Sequence, residues 1–210
     1  MPAPGDEYLP IVGIHDTTQF TDLALHNTNL INIRLCFTGS EETAYYVSNS
    51  TFKPGTPDIT VYNGPDKNAP IIAVSHLTIS STNTVGVGDY SESDVKSPMV
   101  WETLQRTSKW NHSKYQYDFS FGGGLETRTK FEWRRVKKTM SFGYCLQLVE
   151  LSNPDVVLGA FIPGSGMRVK IRGRILVRKG YGEAWERMAV LTGLALVELA
   201  RRRARARKYP

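Results

Sequence analysis

The sequence predicts a mainly β domain that ends in one helix. Three observations carry this. Short runs rich in β-branched and aromatic residues recur between residues 30 and 179, and clusters of Gly, Pro, Asn and Asp separate them. From Glu183 onward Ala, Leu, Met, Glu and Arg dominate, and the apolar residues follow a helical spacing. At 210 residues the chain suits one large all-β domain or two small ones, and either buries a sizeable core.

Taken in order, residues 1–25 are rich in Pro, Asp and Thr with no sustained period, so they are expected to form a flexible or loosely docked arm. A folded domain over 26–207 follows, with 208–210 as the tail end. Eleven strands are expected, at residues 30–37, 43–47, 59–62, 71–79, 84–87, 99–106, 115–121, 129–136, 144–150, 156–162 and 168–179. Asn63-Gly64-Pro65-Asp66, Gly122-Gly123-Gly124, Asn153-Pro154-Asp155 and Pro163-Gly164-Ser165-Gly166 supply breaks for tight connections, so neighbouring strands run antiparallel in a meander. In 168–179, Val169, Ile171, Ile175 and Val177 alternate with Arg168, Lys170, Arg172, Arg174 and Arg178, which assigns one core face and one cationic face. Phe131 and Trp133 alternate with Lys130, Glu132 and Arg134 in the same way.

Residues 183–210 read as one helix with two unlike halves. Residues 188–200, MAVLTGLALVELA, are apolar on nearly every face, so the helix needs an enclosing interior. Thirteen residues of helix span about 20 Å, short of the roughly 30 Å hydrocarbon core of a bilayer, and no transmembrane span is expected. The second half carries Arg201, Arg202, Arg203, Arg205, Arg207 and Lys208.

Those six cations account for the whole net charge of +6, so the rest of the chain is neutral overall. Cys36 and Cys145 lie in strand-like segments and read as buried free thiols of a reducing compartment. The N-terminus MPAPGDEYLP has no secretory pattern, and cytoplasmic residence, peripheral to a membrane or nuclear, is the expectation.

Several pieces in order, ITVYNGPDKNAPI at 59–71, the W-E-x-L-x-R segment at 101–106, FEWRR at 131–135 and VLTGLALVELARRRAR at 190–205, resemble a fungal family of tubby-like proteins. Its wider group, the tubby C-terminal-like superfamily, also holds the LURP-one-related proteins and the phospholipid scramblases. The resemblance covers residues 30–207 and implies a closed antiparallel barrel of about 11 to 12 strands around a central hydrophobic C-terminal helix. The ligand motif of the tubby proteins proper is absent from the chain, as are the Cys-rich and Pro-rich segments of the scramblases. Fold carries over from such a likeness better than activity does.

Catalytic chemistry finds little footing. His15, His26, His76 and His112 are scattered without ligand spacing, so neither a metal site nor a catalytic group is expected, and no cofactor is implied. Gly164-Ser165-Gly166 lacks the strand-to-helix setting of a nucleophile elbow, and neither Gly86-Val87-Gly88 nor Gly122-Gly123-Gly124 is followed by a helix as a phosphate loop requires. Asp66, Asp89, Glu92 and Asp94 do not have the spacing of a calcium loop.

Three basic groups remain. The strand face Arg168, Lys170, Arg172, Arg174 and Arg178 would satisfy a phosphorylated head group through charge-assisted hydrogen bonds, or is an ordinary solvated face cross-paired with acids. Arg134, Lys137 and Lys138 form a second cluster, in which Arg134 and Arg135 face opposite ways. The tail at 201–208 is dense enough in charge for RNA, anionic lipid or a nuclear import receptor, or simply solvates the end of a buried helix. Nucleic acid is disfavoured because the aromatics alternate into core positions and leave no stacking platform. The leading expectation is a non-enzymatic module that binds anionic phospholipid head groups through its basic outer face and tail. A protein-interaction scaffold without lipid affinity and a scramblase-like membrane protein are the alternatives.

Overall fold

Twelve antiparallel strands follow one another around a closed barrel, and the C-terminal helix runs through its interior. The computed structural model describes residues 9–29, 31–50, 55–78, 82–90, 98–108, 112–121, 128–136, 144–164 and 171–208. The first six strands are β1 (Phe20–Asn27), β2 (Ile33–Phe37), β3 (Thr43–Asn49), β4 (Ile59–Tyr62), β5 (Ile71–His76) and β6 (Thr82–Gly88). The second six are β7 (Met99–Arg106), β8 (Lys114–Ser120), β9 (Arg128–Val136), β10 (Cys145–Glu150), β11 (Asn153–Pro163) and β12 (Ile171–Arg178), followed by α1 (Glu183–Lys208). Each strand pairs with its sequence neighbours, and β1 pairs with both β12 and β2 to close the ring. The expected barrel with one enclosed helix is therefore the observed architecture.

Alternation within the strands builds the interior. Leu23, Leu35, Val47, Val61, Val85, Leu104, Tyr117, Trp133, Leu148 and Ile175 face inward and form one cluster with Trp185, Met188, Leu191, Leu194 and Leu196 of α1. Every residue from 188 to 196 is buried, so the helix has no solvent face over that stretch. Its one hydroxyl there is fully engaged: Thr192 Oγ1 lies 2.8 Å from the Met188 carbonyl, to which it donates, and accepts from Trp133 Nε1 at 2.9 Å. A Cβ added at Gly193 would lie 3.2 Å from Trp133 Cζ2, so the missing side chain lets the indole close against the helix. Among the described residues, no helix is long and apolar enough to cross a membrane.

The N-terminal segment departs from expectation. Residues 20–25, assigned to a flexible or loosely docked arm, belong to β1, where Leu23 and Leu25 point into the core and backbone pairs run to both neighbours. Ahead of it, Val12 and Ile14 dock with Phe20 of β1 on the outer face against Cys145, Val157, Ala160, Ile162 and Leu176, and Gln147 Nε2 donates to the Val12 carbonyl at 3.0 Å. Asn153-Pro154-Asp155 is likewise not a turn. The chain reverses at Leu151 and Ser152, and Pro154 sits in β11 beside a register shift, where a missing amide is tolerated. Gly122-Gly123-Gly124, Ser165 and Gly166 lie outside the described residues. Cys36 and Cys145 are buried free thiols.

One seam is incomplete. β7 and β8 share only the register pairs Gln105↔Gln116 and Arg106↔Tyr115, whereas β7 with β6 and β8 with β9 are paired along their lengths. The barrel wall therefore parts on the side nearest the start of α1.

Candidate functional site

The expected cationic face of β12 is broken by a bulge. Leu25 pairs with Gly173 and His26 with Ile171, so Arg172 is an extra residue that reverses the alternation. A Cβ at position 173 would come within 2.4 Å of the Ile162 carbonyl oxygen, which explains the glycine at the bulge. Arg172 consequently lies beside inward-facing Ile33 and Val47 and the helix residues Leu194 and Glu198. Arg174 stays outside but is only 5 % exposed, and its Nε donates to Asp22 Oδ1 at 3.1 Å while Nη2 pairs with Oδ2. Arg178 Nη2 donates to Gln19 Oε1 at 2.8 Å. Arg168 and Lys170 lie outside the described residues.

Of Arg134, Lys137 and Lys138 in the second expected cluster, Arg134 alone is described. Arg134 bridges strands, with Nε donating to Gln147 Oε1 at 2.7 Å and Nη2 to the Pro154 carbonyl at 2.9 Å. Lys137 and Lys138 lie outside the described residues. Outer-face guanidinium groups thus fasten β9, β10, β11, β12 and the docked N-terminal segment to one another.

The tail divides by role. Glu198, 3 % exposed, accepts from Arg201 Nε at 2.6 Å and from Arg202 Nε at 2.9 Å. Arg202 also pairs with Asp58 Oδ1 at 2.7 Å and donates to the Ser50 carbonyl at 3.0 Å, which pins the helix to the rim. Arg203 Nη1 donates to Tyr115 Oη at 3.2 Å. Arg205 and Arg207 are exposed, and the side chain of Lys208 lies outside the described residues.

A different cationic site forms where α1 leaves the barrel. The alternation that points Leu104 and Trp133 inward also aims Arg106 and Arg135 at this mouth, two residues further along each strand. From α1, Arg203 hydrogen-bonds at this mouth, and Arg207, four residues on, acts on it through its charge. At the centre, His112 Nδ1 lies 2.8 Å from Tyr115 Oη and His112 Nε2 lies 3.5 Å from Arg106 Nη1. An arginine only donates, so Nε2 accepts and the ring proton sits on Nδ1, donating to Tyr115 Oη. Arg203 donates to the same oxygen, which leaves the Tyr115 hydroxyl proton for a further acceptor. Arg135 Cζ stands 4.3 Å from the centre of the Tyr144 ring.

Electrostatics mark the mouth as strongly positive. Burial first, then Arg203, Arg106, Arg135 and Arg207, hold the His112 imidazole below its ordinary pKa. Burial pushes the Tyr144 hydroxyl up, while Arg135 and Arg203 pull it back. Among the described residues, none of the four arginines forms a salt bridge, whereas Arg174, Arg201 and Arg202 all do. Four guanidinium forks with a hydroxyl between them suit a multiply charged oxyanion such as a phosphate ester. His112, Tyr115 and Tyr144 had no sequence signal. Arg106 and Arg135 had one, since they continue the inward parity of their strands.

Compared with protein-family models, with curated proteins and with solved structures, the chain matches none.

Proposed function

We propose that the protein is a non-catalytic, tubby-like barrel that binds phosphorylated head groups of anionic membrane lipid at the basic mouth. The tubby-like reading rests on the order of the sequence pieces at 59–71, 101–106, 131–135 and 190–205, and the barrel with its enclosed helix is the architecture that likeness implies. The lipid reading rests on one observation: Arg106, Arg135, Arg203 and Arg207 converge on His112 with no carboxylate paired to them among the described residues. Among the described residues, the outer-face arginines Arg134, Arg174 and Arg178 are engaged internally, which favours the mouth as the place for the head group. A helix buried throughout residues 188–196 has no apolar face to give to a bilayer, which favours peripheral attachment over insertion.

Vesicle flotation tests this. The wild type floats with vesicles that contain a phosphoinositide, and the double variant Arg203→Glu, Arg207→Glu does not, while Arg178→Glu floats like the wild type. Flotation weakens as salt is raised from 0.1 M, because the contacts are charge-based. Equal flotation with and without phosphoinositide sinks the head-group reading. No flotation with any anionic vesicle leaves the protein-scaffold reading in its place.

A further inference from the structure

The parted seam between β7 and β8 opens into a cavity of about 530 Å³ at the end of the barrel opposite the basic mouth. Val100, Trp101 and Glu102 line one side, Phe119, Phe121 and Arg128 the other, and residues 181–185 close the floor at the start of α1. We propose that this cavity binds an uncharged small molecule with an apolar ring or chain and an acceptor oxygen, such as a ketone or ester.

Four observations point there. The volume lies within the range of small-molecule sites, roughly 300 to 1,000 Å³. Apolar side chains at its opening face solvent: Val100 and Phe121 are 41 and 47 % exposed, among polar groups of Glu102, Ser120 and Arg128, while the Trp101 ring lies over Gly86 on the outer face. The aromatic rings form a continuous surface, since Phe119 and Phe121 have centroids 5.3 Å apart, Phe121 and Tyr181 6.1 Å, and Tyr181 and Trp185 4.6 Å. Rings this close to one another make a wall against which a flat or chain-like body lies, not a cage around a cation.

The fourth observation is charge. Arg128 pairs with Glu102, and Glu183 pairs with Arg187, so each charged group among the described lining residues already has an opposite partner. An ionic ligand would have to compete with these pairs, whereas an uncharged one leaves them intact. Acceptor preference follows from the helix start. Glu186 N makes the first intrahelical bond, to the Gly182 carbonyl at 3.0 Å, so the amides of Glu183, Ala184 and Trp185 precede the helix ladder. A ligand oxygen facing residues 182–184 would accept from these amides while its apolar body covers Val100 and Phe121.

Prodan, an uncharged naphthyl ketone whose emission shifts in apolar surroundings, is the probe. The full chain is expected to bind it saturably at one site with a blue shift. Ala184→Trp, at an exposed position beside the floor, fills the cavity and should weaken binding about tenfold or more, as should Phe121→Ala, which removes part of the wall. Arg203→Glu with Arg207→Glu, at the other end, should bind Prodan as the wild type does. Either variant binding like the wild type while melting at the same temperature overturns the assignment, as does the absence of saturable binding. An anionic naphthalene sulfonate that displaces Prodan with higher affinity overturns the preference for an uncharged ligand.

Discussion

Two single residues show how polar groups are placed in this chain. Thr192 faces Trp133 inside the barrel, and its hydroxyl is the acceptor of the indole N–H. Thr192→Val keeps the shape but strands that donor, so it should cost about 1 to 3 kcal/mol in urea unfolding, while Thr192→Ser should cost less. The inward parity of Trp133 was legible in FEWRR, but its partner 59 residues away was not, because only the packed helix brings them together. His112 gives a pH prediction. Its folded pKa lies below that of the unfolded chain, near 6.5, so between the two values the unfolded state holds more protons. Stability should therefore fall as pH drops from about 6.5 toward the folded value, and stay level in this respect above it. His112→Asn should flatten that slope in thermal melts taken across the window. An anion bound at the mouth favours the imidazolium, so head-group affinity should rise over the same range, measurable by flotation at pH 7.5 and pH 5.5.

At the scale of elements, the helix and most strands follow from local pattern. β4 and β7 have the bounds that their composition predicts, and α1 begins at Glu183 as expected. β1 escaped because its alternation is brief, with only Leu23 and Leu25 reaching the core between polar neighbours such as Asp22 and His26. The bulge in β12 was invisible for a different reason: a two-against-one pairing is a property of β1 and β12 together, and period-two counting along one strand assumes it away. That assumption turned Arg172 outward when it lies against the helix. The enclosed helix also sets a sharp test of the core. Leu194→Asp or Leu196→Asp buries an unpaired charge and should abolish cooperative thermal unfolding followed by circular dichroism, whereas Arg205→Asp, on the exposed end, should leave the melt within about 0.5 kcal/mol of the wild type.

Across the whole molecule, the barrel presents two chemically different ends. One carries arginines around His112 and Tyr115 with no salt bridge among the described residues, and the other an aromatic cavity whose described charged groups are each in an ion pair. Cations were expected on the barrel's outer face and on the tail, and four arginines with no salt bridge among the described residues lie at the mouth. Arg106, Arg135, Arg203 and Arg207 come from two strands and the last turns of α1, so no window of the sequence contains them together. The outer arginines, conspicuous as runs, are the ones that ion pairs and strand-bridging hydrogen bonds take up. Binding at the mouth is the central claim, and the side-chain Nε–H resonances of the arginines report on it directly during titration with inositol 1,4,5-trisphosphate, the soluble head group. Shifts concentrated at Arg106, Arg135, Arg203 and Arg207 and saturating together are the predicted result. Shifts confined to Arg134, Arg174 and Arg178 on the outer face, or none at millimolar ligand, would contradict it.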